Sequence, residues 1–142
     1  MRAVVQRVTR ASVSVGGLHV AGIGAGLVVF VGVGPADDLA VSVALARKVA
    51  GLRVLAGDIS VSERPDEYAV LVVSQFTLYG DVRKGRRPSW SAAAPGDLAE
   101  PLVAAVVAEL HALGVPAQAG RFGADMQVEL VNDGPVTLLI EL

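Results

Sequence analysis

The chain has 142 residues, a formal net charge of −2 and no cysteine, with 53% hydrophobic and only 18% charged residues. That length suits one domain, residues 1–142, and a chain of this size buries roughly 70% of its unfolded surface. The lack of cysteine excludes a disulfide scaffold and thiolate metal sites. A slightly acidic balance argues against a general nucleic-acid binder.

A mean hydropathy of +0.56 raises the question of a membrane span. The best candidate, the uncharged stretch Val20 to Ala36, is interrupted by five glycines and ended by Pro35. A spanning helix needs about 20 mostly apolar residues, so buried β-structure is the better reading. Arg7 and Arg10 break any signal-peptide core. A cytoplasmic protein with no membrane partner is expected.

In chain order, Met1 to Arg10 alternates β-branched residues, and Ala11 to Val15 continues the strand to Gly16-Gly17, a hairpin signal with Leu18 to Ile23 returning. Leu27 to Val33 reads as a strand buried on both faces. Leu39, Val43, Ala46 and Ala50 then share a helical face, with Asp37 and Asp38 before it and Gly51 to end it. Leu52 to Ala56 reads as a short strand, Ile59 to Glu67 as a loop and Tyr68 to Gln75 as a valine-rich strand. A second helix is expected from about Asp97, with Glu100 at capping-box spacing and Pro101 in the first turn. Leu102, Val106, Leu110 and Leu113 supply its buried stripe, and Gly114 stops it. Val115 to Arg121, Gln127 to Val131 and Val136 to Leu142 are the closing strands. Two strands, two strand–helix units and three strands make an α/β fold with a mixed sheet and helices on one side.

The chemistry is limited by what is missing. His19 and His111 are the only histidines, and no His-x-x-x-His or Glu-x-x-His spacing occurs, so no metal site and no cofactor are expected. Gly22, Gly24 and Gly26 open a strand rather than a helix, unlike a dinucleotide fingerprint. Three features remain. Ser74-Gln75-Phe76-Thr77 ends a buried strand, where α/β sheets often place functional groups. Thr77 could serve as a nucleophile, although no base is adjacent. Alternatively the Gln75 and Phe76 amides form an oxyanion hole, or the hydroxyls simply cap the strand end. Asn132-Asp133-Gly134-Pro135 has ordinary hairpin chemistry, except that Pro135 cannot donate to a sheet. Finally, Asp81 to Arg87 carries Arg83, Lys84, Arg86 and Arg87 against one acid, a local charge of +3 that leaves −5 elsewhere. It is either a solvated loop or a local polyanion contact.

Val5-Gln6-Arg7-Val8, Ser74 to Leu78 (SQFTL), Lys84-Gly85-x-Arg87-Pro88-Ser89, Gly120 to Val128 (GRFGADMQV) and Asn132-x-Gly-Pro-Val-Thr137 together resemble the D-aminoacyl-tRNA deacylases. The resemblance covers nearly the whole chain. It implies hydrolysis of the ester between a D-amino acid and the terminal adenosine of tRNA, and removal of glycine misattached to alanine tRNA. It also implies a homodimer with active sites at the subunit interface. Gly134 and Pro135 would be the Gly-cisPro motif, inserted into the partner's pocket to exclude L side chains, and Arg7 the arginine that orients it. Ser74, Gln75, Phe76 and Thr77 would line the facing wall, with Phe122 and Met126 nearby. Water would be activated with help from the 2′-hydroxyl of the substrate's own ribose, or Thr77 would attack directly. Arg83, Lys84, Arg86 and Arg87 become candidates for tRNA phosphates. Many members carry Gly-Lys-Met-Asn near Asp58 to Glu67; this chain does not, so the resemblance carries over no role in substrate contact to that loop. A non-catalytic tRNA-binding dimer of the same fold is the alternative.

Overall fold

A computed structural model describes all of residues 1–142. Strand β1 (Arg2–Val15) organises the fold, because one edge pairs antiparallel with β3 (Gly26–Gly32) and then β2 (Leu18–Ile23), and the other with β6 (Met126–Glu141). Its inward side chains shift phase. Ala3 and Val5 enter one core, whereas Val8, Ala11 and Val13 enter a second on the opposite face. Val5 and Val8 fall on opposite faces by ordinary alternation. The irregularity between Val8 and Arg10, where β1 takes two steps to one on β6, keeps Ala11 and Val13 on the face of Val8, since one extra residue reverses which face a strand buries.

Next to β1 lie the parallel strands β3 and β4 (Ala69–Ser74), then β5 (Ala117–Ala119). Leu27, Val29, Val31, Val70 and Val72 face the larger core, while Val28, Leu71 and Val73 face the smaller. Both faces are thus buried, as parallel strands require. Gly26 permits this pairing: its φ is +153°, and a Cβ there would overlap the Ala69 carbonyl. The sheet curls so that β2 reaches β5, where the Gly22 N–H donates to Gln118 Oε1 at 2.9 Å.

Helices α1 (Leu39–Gly51) and α2 (Gly96–Ala112) both cover the larger core. Asp38 caps α1 by accepting from the Val41 N–H at 3.0 Å. Leu45, Ala46 and Val49 meet Leu102, Val106 and Leu110 of α2 there, but two residues expected on the buried faces, Leu39 of α1 and Leu113 after α2, are exposed. No helix is long and apolar enough to cross a membrane.

Several local expectations are corrected. Leu52 to Ala56 is not a strand; Leu55 makes a single bridge to Ile59 around a turn at Gly57 and Asp58, both with positive φ. Its apolar residues pack beneath the helices instead of joining the sheet. The capping box at α2 does not form: the N-cap is Pro95, whose carbonyl accepts from Leu98 and Ala99, while Asp97 accepts from its neighbour Leu98. Pro101 is the sixth residue of α2, beyond the first turn, on an exposed face. The strand expected from Val115 to Arg121 shrinks to Ala117–Ala119. The two final strands are one, β6, because both halves pair with the same β1.

Candidate active site

Strand β4 ends at Ser74, and the Gln75 N–H donates to the Val31 carbonyl at 2.7 Å, completing the parallel ladder. The chain then tightens into a 3-10 turn, Phe76–Tyr79. Leu78 N–H donates to Gln75 O and Gly80 N–H to Thr77 O, so Phe76 and Thr77 have no acceptor within the turn's own ladder. Two glycines let the turn lie against β3. A Cβ on Gly32 would sit 2.9 Å from Gln75 O, and one on Gly34 would sit 2.8 Å from the Tyr79 hydroxyl. The Arg2 guanidinium lies 4.7 Å from the Tyr79 ring centre and donates to Leu78 O at 3.1 Å. Burial, then the Asp37 charge, pushes the Tyr79 hydroxyl above its ordinary range.

Ser74, Gln75 and Phe76 line two cavities. One, of about 300 Å³, is walled largely by apolar groups including Val31, Val103, Phe122 and Trp90. The other, of about 330 Å³, includes Asp125, Met126 and Val128. The expected residues Ser74, Gln75, Phe76, Phe122 and Met126 are therefore brought together. Thr77 is bonded to the site through its Oγ1, which is paired with Gln75 Nε2. No histidine lines either cavity. No group of three or more His, Cys, Asp or Glu comes together anywhere in the fold.

The oxyanion expectation is corrected in one respect. The Gln75 amide is committed to Val31 O and is not available to a substrate, which leaves Phe76 of the expected pair. Thr77 fares no better as a nucleophile, because its hydroxyl faces a neutral amide and not a base.

Gly134 and Pro135 lie elsewhere and line neither cavity. On β6, Asn132 faces Val8 and Thr137 faces Gln6, so β6 takes five steps where β1 takes two. The intervening residues stand out from the ladder as an enlarged bulge, which corrects the hairpin reading. The Gly134–Pro135 peptide is cis. Asn132 Nδ2 holds the bulge by donating to Arg7 O at 2.8 Å and Val136 O at 3.1 Å. Arg7 Nε donates to Asp133 O at 3.2 Å and lies 2.8 Å from Asp133 Oδ2, while its Nη1 donates to Val54 O at 2.7 Å. β6 is an edge strand, paired only with β1, and exposes Leu139 and Val131, with Leu142 exposed just beyond it.

The basic segment forms a loop closed by a two-bonded bridge between Asp81 and Ser89. Arg83, Lys84 and Arg87 surround a cleft of about 560 Å³, and Arg86 is exposed outside it. Arg83 is not a free cation. It grips Asp81 through Nε at 2.9 Å and Nη2 at 2.6 Å, which holds the Asp81 carboxyl down to about 2. Lys84, Arg86 and Arg87 form no ion pair.

Two site residues escaped sequence reasoning. Asp125 lies inside a motif singled out for its neighbours, so its carboxylate went unweighed. Trp90, the only tryptophan, directly follows the Lys84-to-Ser89 motif and packs edge-on against Phe76.

Known proteins resemble the chain throughout. A family model described as D-Tyr-tRNA(Tyr) deacylase matches residues 4–141. The D-aminoacyl-tRNA deacylase of Kineococcus radiotolerans is 57% identical, with 99% of each chain covered. That of Streptomyces coelicolor is also 57% identical, over the whole of both chains. Among solved structures, one described as a c-Myc DNA unwinding element binding protein superposes with a TM-score of 0.89 at 39% identity, covering 100% of this chain and 99% of its own. A probable eukaryotic D-amino acid tRNA deacylase, 17% identical, shares the fold with a TM-score of 0.87, covering 99% of this chain and 98% of its own.

Proposed function

The chain belongs to the D-Tyr-tRNA(Tyr) deacylase family, with the enzyme class of a D-aminoacyl-tRNA deacylase, a hydrolase, and from that premise we propose how its site selects and cleaves the ester. The observation that carries the reading is the pinned bulge at Asp133 to Val136 on an unpartnered edge strand, away from the cavities of its own chain. In this reading β6 pairs with a second copy, and each bulge enters the partner's Ser74-to-Phe76 site. The Gly134 and Pro135 carbonyls accept from the substrate ammonium and leave no room for an L side chain, so chirality is read by exclusion. Glycine, lacking a side chain, passes the same filter, which accounts for activity on glycine misattached to alanine tRNA.

Cleavage then needs little from side chains. The Phe76 amide, with that of Thr77, donates to the oxygen that gains charge, a contribution worth several kcal/mol in a dry site. The 2′-hydroxyl of the terminal ribose helps activate water. Lys84, Arg86 and Arg87 hold acceptor phosphates, while Arg83 shapes the loop through Asp81.

Matched D- and L-tyrosyl-tRNA provide the test. The reading requires loss of the D ester alone; hydrolysis of both, or of neither, sinks it. A D-tyrosyl-tRNA ending in 2′-deoxyadenosine should be a very poor substrate, and normal turnover of it would remove the ribose from the mechanism.

A further inference from the structure

The basic loop and the proposed catalytic turn are joined at both loop ends. Gly80, which ends the 3-10 turn by donating to Thr77 O at 2.9 Å, leads directly into Asp81. The far end, Ser89, is bonded back to Asp81 at 2.8 and 2.9 Å and leads directly into Trp90. The Trp90 ring returns to the turn. It meets Phe76 edge-on, with ring centres 5.5 Å apart and planes at 77°, and it covers Gly80 so closely that a Cβ there would lie 2.6 Å from its Cζ3. The segment after Trp90 is anchored to β3, where Ala94 N–H donates to Val33 O at 2.9 Å.

A four-residue 3-10 turn has poor hydrogen-bond geometry and little cohesion of its own. Phe76 is more than half exposed, at 56%. What restrains it on the solvent side is Trp90, while Gly32 and Gly34 let β3 support the turn from beneath. We propose that Trp90 is a positioning residue for the hydrolysis: it fixes the Phe76–Tyr79 turn and links that turn to the phosphate-binding loop. This rests on the reading of the turn as the oxyanion-side wall. Phosphate capture by Lys84, Arg86 and Arg87 then firms the turn from which the Phe76 amide points. A displacement of about 1 Å in such a group costs up to ~100-fold in rate.

The test compares Trp90→Ala and Trp90→Phe on D-tyrosyl-tRNA. Trp90→Ala should lower kcat by about 10- to 100-fold with KM within about twofold, the pattern of an interaction needed only in the transition state. Trp90→Phe, which keeps an aromatic edge for Phe76, should recover most of the rate. Unchanged kcat in Trp90→Ala overturns the proposal. So does a rise in KM alone, which would make the ring a substrate contact, or a Trp90→Phe variant as slow as the alanine.

If Trp90→Ala fails to fold, Gly80→Ala displaces the ring without removing it, its Cβ falling 2.6 Å from the ring and 3.0 Å from Thr77 O; Gly80 has φ −62°, which alanine adopts freely. Normal kcat there also overturns the proposal. Because Trp90 is the only tryptophan, its emission reports the link directly. Uncharged tRNA should shift it in the wild type and not in Lys84→Ala/Arg86→Ala/Arg87→Ala; a bound tRNA that leaves the emission unmoved breaks the coupling. A wild type inert on D-tyrosyl-tRNA would sink the parent reading, whereas fast Trp90 variants of an active enzyme sink only this inference.

Discussion

Arg7→Ala is the most informative single change outside the cavities. One guanidinium makes three contacts: Asp133 Oδ2 at 2.8 Å, Asp133 O at 3.2 Å and Val54 O at 2.7 Å. Asp133 is about half exposed, at 47%, so the ion pair itself contributes no more than about 1 kcal/mol. Bonds from a charged donor to the two carbonyls contribute about 1.5–3 kcal/mol each. They share one side chain and are not additive, so Arg7→Ala should cost about 2–4 kcal/mol. Asp133→Asn removes only the ion pair and should cost under about 1 kcal/mol. Arg7→Lys keeps the charge, but one ammonium cannot bridge Val54 and Asp133 as the planar fork does; its cost should fall between the two. Urea unfolding followed by circular dichroism measures all three. In parallel, D- and L-tyrosyl-tRNA hydrolysis reads the bulge. Arg7→Ala should lower the ratio of D to L rates more than Asp133→Asn does. An Arg7→Ala protein as stable as Asp133→Asn, with unaltered selectivity, would refute the claim that Arg7 sets the bulge.

Thr77→Ala should retain near-normal turnover, and a fall of several orders of magnitude would restore the covalent mechanism. Lys84→Ala/Arg86→Ala/Arg87→Ala should flatten the slope of log affinity against log salt for tRNA by up to ~2.7, and Asp81→Asn, which frees Arg83, should steepen it by up to ~0.9. Unchanged slopes in a salt titration would separate the loop from phosphate binding. Asp81 titrates near 2, so the stability it gives is intact above the ordinary carboxylate range and is lost only as pH falls toward 2; acid unfolding of Asp81→Asn should lack that component. Leu110→Ala, at a fully buried position in α2, should cost about 2–5 kcal/mol in the urea assay, and a loss under about 1 kcal/mol would mean the helix is not seated as described.

What was legible in the sequence follows from the range of the forces involved. The β1–β2 hairpin, the buried β3 and β4 and both helices are set by local periodicity, and each appeared within a few residues of its expected bounds. Taken alone, Asn132 to Pro135 reads as a hairpin because turn residues between apolar runs satisfy the local rules for one. Only the shared pairing of both runs with β1, across more than a hundred residues of chain, makes it a bulge. Leu52 to Ala56 was apolar for the sake of the helix core, and no local pattern tells that from a strand. At the site, the cluster of Ser74, Gln75, Phe76, Phe122 and Met126 came from family resemblance, since their separation along the chain hides their proximity. The loss of the Gln75 amide to Val31, and of Arg83 to Asp81, depends on hydrogen-bond partners that residue types do not specify.

Asp125 offers the sharpest challenge to a mechanism that uses backbone and substrate alone. It is the one carboxylate lining the two cavities that Ser74, Gln75 and Phe76 share, Glu100 reaching only a third cavity beside Ser74, and a positioned carboxylate acting as general base contributes about 10²–10⁴-fold. Its neighbours Gly123, Ala124 and Met126 offer no cation, and no ion pair or side-chain hydrogen bond orients it. A base without an orienting partner is poorly placed to take a proton in a fixed geometry. The Asp81 carboxyl, held down to about 2 by Arg83, and the Tyr79 hydroxyl, pushed above its ordinary range by burial, both move away from neutrality. In the proposed mechanism an inflection in kcat/KM around neutral pH comes from the substrate's own ammonium, so the profiles of wild type and Asp125→Asn should superpose. A loss of two or more orders of magnitude in Asp125→Asn, together with a vanished inflection, would make Asp125 the base. The 2′-hydroxyl would then be a bystander, and the 2′-deoxy substrate would be cleaved by the wild type at its ordinary rate.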